Sequence, residues 1–141
     1  MVAISAHFTA SEPSRDLIAS LYRKARAAAD HFDELSLRQR QEVRIRIKKL
    51  RYTIDVLGLL FAKDEVAKFV QRLKPLQDDL GHANDVSVAN ELLADLRVSE
   101  NPAVIGRAAG GVLGWHDRGL ADHERKILKH VRRFRHARLF W

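Results

Sequence analysis

Apolar residues recur every three or four positions through most of this 141-residue chain. Between Arg15 and Phe61 glycine and proline scarcely interrupt that spacing. Such spacing places apolar side chains on one face of an α-helix, whereas no segment alternates apolar and polar residues as a half-buried strand does. We therefore predict an all-α fold.

The breaks in the pattern predict four long helices in one domain, which is what 141 residues accommodate. Short connections between long helices indicate an up-down bundle with antiparallel neighbours. Residues 1–12 are predicted to be disordered or to form an arm. The predicted helices cover about 13–35, 37–61 with Ser36 as cap, 64–98, and 102–137 with Asn101 as cap and Pro102 at the first helical position.

Two helices contain residues that disfavour a regular helix. Pro75 and Gly81 predict a bend in the third helix. Glycine is a poor helix former, so glycines in the fourth helix indicate places where another helix approaches closely. These are Gly106, Gly110, Gly111, Gly114 and Gly119.

The chain is basic, with 25 Lys and Arg against 18 Asp and Glu, for a formal charge of +7. Residues 36–52 hold seven basic side chains and one acid, and residues 125–138 hold seven and none. A surface of this kind attracts polyanions. Cysteine is absent, which excludes disulfides and thiol chemistry. No secretion signal or membrane-length apolar run is visible, so we expect a cytoplasmic protein.

Four cations of the second helix lie beside its apolar face. At 100° per residue Arg40, Arg44, Lys48 and Arg51 fall within roughly 80° of one another. Like charges three and four residues apart repel unless an anion neutralises them, and arginine grips phosphate oxygens with two hydrogen bonds. The alternative is that the four form ion pairs with acids on facing helices, such as Asp55, Asp78, Asp79 and Asp85.

The segment QEVRIRIKKLRY, residues 41–52, resembles the signature of CHAD domains. Arg44, Lys48, Leu50, Arg51 and Tyr52 match that signature, while Gln41 occupies the position of the family's histidine. Residues 73–93 and the ending RRFRHARLFW, residues 132–141, also resemble the family, so the likeness covers about 36–141.

The resemblance implies a helical bundle that binds inorganic polyphosphate, often on polyphosphate granules, without catalytic turnover. It implies phosphate contacts by Arg44, Lys48, Arg51 and Tyr52, with Gln41 donating hydrogen bonds but unable to become cationic. The charge pattern adds Arg40 to these contacts. Full CHAD domains contain two four-helix halves with facing basic surfaces. This chain resembles the C-terminal half, so a homodimer could complete the pair.

Further basic residues flank the inner faces of the third and fourth helices. Lys68 and Arg72, and Lys126 and Arg133, are candidates to extend the phosphate contacts. The alternative for Lys68 and Arg72 is an ordinary solvated or paired charge.

The sequence offers no catalytic motif and no cofactor site. His116, His123 and His130 recur every seven residues, about 10 Å apart along a helix, which is too far to ligate one metal ion. The acids around Gly81, Asp78, Asp79 and Asp85, are expected to cap the bend. We therefore predict a binding protein that is not an enzyme and holds no metal.

Two other functions remain open. The same cations would attract the backbone of a nucleic acid, as in a nucleoid-associated protein. The glycine-lined fourth helix could instead dock a partner helix, as in a scaffold protein.

Overall fold

The computed structural model describes residues 12–99, 119 and 121–141. It contains α1 (Glu12–Ala28), α2 (Leu37–Leu57), α3 (Lys63–Ser99) and a fourth helix, α4, over 121–135. No strand occurs in these ranges. The all-α bundle predicted from the apolar spacing is confirmed. Of residues 1–12, predicted to be disordered or an arm, only Glu12 is described, and it begins α1.

The first helix is shorter than the sequence predicts, because it ends at Ala28 and not near residue 35. His31 adopts the left-handed conformation, with φ 49° and ψ 45°, which no α-helix continues through. A 3-10 turn over Phe32–Glu34 follows. Phe32 is nevertheless buried, at 2% exposure. The apolar spacing thus extends beyond the helix because this turn also faces the core.

Ser36 caps α2 as predicted. Its hydroxyl accepts a hydrogen bond from the Gln39 amide at 3.2 Å, and its own amide donates to Gln39 Oε1 at 2.8 Å. This reciprocal capping box satisfies two amides that the first turn leaves without partners. The helix ends at Leu57, earlier than the predicted residue 61, and a 3-10 turn over Gly58–Leu60 leads to α3.

The third helix runs unbroken for 37 residues and includes Pro75. The predicted cap Asn101, Pro102 and the glycines at 106, 110, 111 and 114 lie outside the described residues. At Gly119 no described atom lies within 4 Å of where a Cβ would stand, so the predicted close approach is not seen there. The fourth helix ends at residue 135, two residues before the predicted end.

All four helices contribute to one buried core. Burial of apolar surface is the main force that holds them together. Tyr22 of α1 donates a hydrogen bond to the Phe134 carbonyl of α4 at 2.9 Å. The chain then returns over the core, because Trp141 packs edge-on against Tyr22 and Phe69. The fully or nearly fully buried side chains are Ile18, Tyr22, Ala25, Ala29, Phe32, Val43, Ile47, Leu50, Ile54, Phe69, Leu73, Leu76, Leu80, Ile127, Val131 and Phe134.

Candidate functional site

The candidate site is the row of cations on α2 that borders its buried face. The buried residues Val43, Ile47, Leu50 and Ile54 hold this helix against the core. Arg40, Arg44 and Arg51 are half-buried beside them, and Lys48 is exposed. The packing of α2 therefore fixes where the four charges lie along one side of the helix.

Arg40 is neutralised within the fold. Its Nη1 and Nη2 donate to Glu124 Oε2 and Oε1 at 2.8 and 2.6 Å, and its guanidinium lies 4.4 Å from the centre of the Phe32 ring. The hydrogen bond from Arg40 lowers the pKa of Glu124 below its ordinary value, against an opposing effect of burial. This two-point pair joins α2 to α4.

Arg51, at the other end of the row, is also paired. Its Nε donates to Asp55 Oδ1 at 3.0 Å, one turn along the same helix. Asp55 was one of the acids expected in the ion-pair alternative. Both ends of the row are therefore ion-paired, Arg40 with an acid on a facing helix and Arg51 with an acid on its own helix.

The middle of the row is different, because Arg44 and Lys48 contact no carboxylate in the described part of the chain. They line a shallow groove of about 690 Å³ on the surface of α2, together with Lys49 and Tyr52, and Leu17 of α1 also borders it. The Lys48 ammonium lies 5.7 Å from the centre of the Tyr52 ring, within range of a weak cation–π contact. These charges are available to an external anion.

Comparison with known proteins identifies the family. A family model for the CHAD domain matches residues 4–94, which is more than half of the chain. This chain belongs to the CHAD family. The search of curated proteins and the search of solved structures returned no match.

The matched range differs in extent from the likeness seen in the sequence. It begins well before Ser36 and includes α1, and it ends at residue 94. The CHAD signature segment, residues 41–52, lies inside it. The ending that resembles the family terminus, residues 132–141, lies outside it, although it closes the core of this bundle.

Gln41 and Lys126 lie away from the Arg44–Lys48 groove. With Arg40 they line a second cavity of about 1070 Å³, bounded by α2, α3 and α4. Glu124, His82 and His123 line the same cavity. Of the ten residues that the CHAD resemblance and the charge pattern assign to phosphate binding, three line the groove and three line this second cavity.

The remaining candidates belong to neither cavity. Lys68 pairs with Glu65, one turn earlier on α3, at 3.3 Å. Arg72 and Arg133 are exposed and form no ion pair with a described residue. Their charges add to the positive field of this CHAD domain without a contact that links them to the groove.

The histidine row separates into different contacts. His116 lies outside the described residues. His123 packs edge-on against His82 with ring centres 5.1 Å apart, and His130 Nδ1 contacts the Asp79 carboxylate. Asp79 therefore faces α4, whereas the sequence predicted that it would cap the bend near Gly81. Within the described ranges, no three His, Asp or Glu side chains are grouped as metal ligands.

Two residues that matter here escaped the sequence argument. Lys49 is not among the predicted phosphate contacts, yet it lines the groove. Its position beside Ile45 and Val56, one and two turns away, is the signal that could have found it. Glu124 lies 84 residues from Arg40, and no local pattern joins them.

Among the helices that the structure describes, none combines the length and the hydropathy that a membrane-spanning segment requires.

Proposed function

We propose that this chain binds inorganic polyphosphate without turning it over, and that Arg44 and Lys48 make the central contacts. The observation that carries this proposal is the pairing pattern on α2. Arg40 and Arg51 have acidic partners, whereas Arg44 and Lys48 between them have none among the described residues. Two unpaired cations one turn apart repel each other, and a bound polyanion removes that repulsion.

The chemistry of the two side chains suits a chain of phosphates. The Arg44 guanidinium can donate two parallel hydrogen bonds to one phosphate, and the Lys48 ammonium adds a compact charge beside it. The Tyr52 hydroxyl can donate a further hydrogen bond from the same groove. Membership of the CHAD family and the formal charge of +7 both support this ligand class.

The acids near the row favour binding over catalysis. Glu124 is held by Arg40 and has a lowered pKa, and Asp55 is held by Arg51. The lowered pKa makes Glu124 a weak general base, because proton transfer to it is less favourable. We therefore propose a binding protein and not an enzyme.

The test is titration with long-chain polyphosphate across a salt series. We expect the double variant Arg44→Glu/Lys48→Glu to lose at least about tenfold in affinity, since each lost charge-assisted contact is worth about 1.5–3 kcal/mol before screening. The matched control is Lys129→Glu/Arg132→Glu. It makes the same change of charge at two exposed positions of α4 with no described ion pair.

Equal losses in the two double variants would show that only the overall charge matters, and would contradict the proposed site. Duplex DNA, added at matched phosphate concentration, separates polyphosphate from nucleic acid as the preferred ligand. Displacement by DNA at equal concentration would favour the nucleic-acid function. Failure of both polyanions to bind would leave the scaffold function.

Two partners implied by the CHAD resemblance extend the proposal. A chain that binds polyphosphate is expected to associate with polyphosphate granules, which co-sedimentation with purified granules would test. A second copy of the chain is expected if a pair of four-helix halves is required. Sedimentation with and without polyphosphate measures that association.

A further inference from the structure

The outward side of α2 carries a second row of apolar residues. Ile45, Tyr52 and Val56 are 49%, 57% and 71% exposed. At 100° per residue they fall within roughly 40° of one another and about 170° from the buried row of the same helix. A helix that packs on one neighbouring layer needs one apolar face. The second face of α2 therefore needs a separate explanation.

The second row forms part of the shallow groove that Arg44 and Lys48 line. Ile45 and Val56 line it together with Leu17 of α1, which is 48% exposed. Ile45 and Val56 are about 16 Å apart along the axis, which equals three helical turns. The apolar row in this shallow groove is thus as long as a short helix. Exposed apolar residues aligned in one row differ from apolar residues that are scattered singly over a surface, which need no explanation.

The charges at this groove have one sign. Arg44, Lys48 and Lys49 line it and have no acidic partner among the described residues. The two acids of α2 are already engaged: Glu42 pairs with Arg46, and Asp55 pairs with Arg51, each at 3.0 Å. An apolar surface bordered by three unpaired cations is complementary to a partner that carries apolar residues with acidic residues next to them.

We propose that this groove docks an amphipathic helix with acidic flanks from another protein. Such a helix would lay its apolar face on Leu17, Ile45 and Val56 and place its carboxylates against the cations. A second copy of this chain fits less well, because it would bring three more unpaired cations to the same place.

This inference goes beyond polyphosphate binding but uses two of the same residues. Arg44 and Lys48 can contact phosphates or carboxylates, not both at once. Polyphosphate and the acidic helix therefore compete, and bound polyphosphate releases the partner.

The probe is a synthetic 18-residue helical peptide with leucines along one face and glutamates on both flanks. Its control is a peptide of the same composition in scrambled order. The test variant is Ile45→Ser/Val56→Ser, which removes apolar surface and leaves the charges unchanged. The matched variant is Leu37→Ser/Leu139→Ser, which alters two exposed leucines that do not line the groove.

We expect the ordered peptide to bind, the scrambled peptide to bind at least about tenfold more weakly, and Ile45→Ser/Val56→Ser to lose at least about tenfold in peptide affinity. The matched variant should bind the peptide as the wild type does. Polyphosphate should displace the peptide, and its own affinity for Ile45→Ser/Val56→Ser should be unchanged. That last measurement separates this proposal from the proposed function.

Three results would overturn the docking proposal. One is peptide binding that is absent or insensitive to Ile45→Ser/Val56→Ser. Another is a wild-type dimer that the same variant converts to monomer, since the row would then be covered by a second copy. The third is variant-sensitive binding to phosphatidylglycerol vesicles without peptide binding. Peptide docking in a chain that fails to bind polyphosphate would uphold this proposal and contradict the proposed function.

Discussion

Glu124 shows how one residue both holds the bundle and limits the candidate site. Its two carboxylate oxygens accept both hydrogen bonds from Arg40, so that α2 and α4 are joined and one cation of the row is withdrawn from external ligands. The consequence is measurable because a lowered pKa makes the contribution of this pair to stability depend on pH.

We predict that Glu124→Gln lowers the free energy of unfolding at neutral pH by roughly 0.5–1 kcal/mol, the scale of a partly exposed ion pair. The folded-state pKa of Glu124 is below its ordinary value of 4.5. The stabilisation is therefore fully present above that ordinary value and is lost as the pH falls through the lowered one. Urea unfolding of both proteins between pH 7 and pH 3 should show their difference shrinking toward acid.

The control for Glu124→Gln is Asp122→Asn. Asp122 pairs with Arg125 on the same helix, and the two side chains are 72% and 76% exposed. Its neutralisation should change stability by a few tenths of a kcal/mol. A pH-independent loss in Glu124→Gln would mean that the residue acts through packing and not through its charge.

Two glycines with opposite surroundings test the packing of individual elements. A Cβ at Gly81, inside α3, would have no described atom within 4 Å apart from the nearby backbone of its own helix, whereas a Cβ at Gly58 would lie 3.2 Å from Val66 Cγ1. We predict that Gly81→Ala raises the free energy of unfolding by about 0.5–1 kcal/mol, the difference in helix propensity. Gly58→Ala should show no such gain, because Val66 must move. Chemical denaturation of the two variants measures both effects, and a loss in Gly81→Ala would show that the space there is needed.

The helices themselves could largely be predicted from local sequence, because caps and apolar spacing act over a few residues. Ser36 and Gln39 show this directly. The end of α1 could not be predicted in this way, because Phe32 continues the apolar spacing while His31 adopts a left-handed backbone. The candidate site also has a part that could be predicted and a part that could not. The placement of Arg44 and Lys48 beside the core follows from the 3.6-residue period, but the pairing of Arg40 depends on how α4 lies across α2.

At the scale of the whole molecule, α4 completes a core that the family match alone does not contain. Residues 4–94 include α1, α2 and most of α3, whereas Ile127, Val131 and Phe134 come from α4. Phe134 is fully buried and packs edge-on against Tyr22, with ring centres 5.2 Å apart. Loss of this ring would leave a cavity where α1 and α4 meet.

We predict that Phe134→Ala lowers the free energy of unfolding by about 3–5 kcal/mol, whereas Leu139→Ala, at a residue 43% exposed, changes it by no more than about 0.5 kcal/mol. We expect α4 to unfold together with residues 4–94, the range that the family model matches. Far-ultraviolet circular dichroism and tryptophan fluorescence should then report one coincident transition in both variants. Two separated transitions in Phe134→Ala would instead mean that α1, α2 and α3 hold together without α4. In that case α2 would remain folded with its four cations, but Arg40 would no longer pair with Glu124. Arg40 would then be a third unpaired cation beside Arg44 and Lys48.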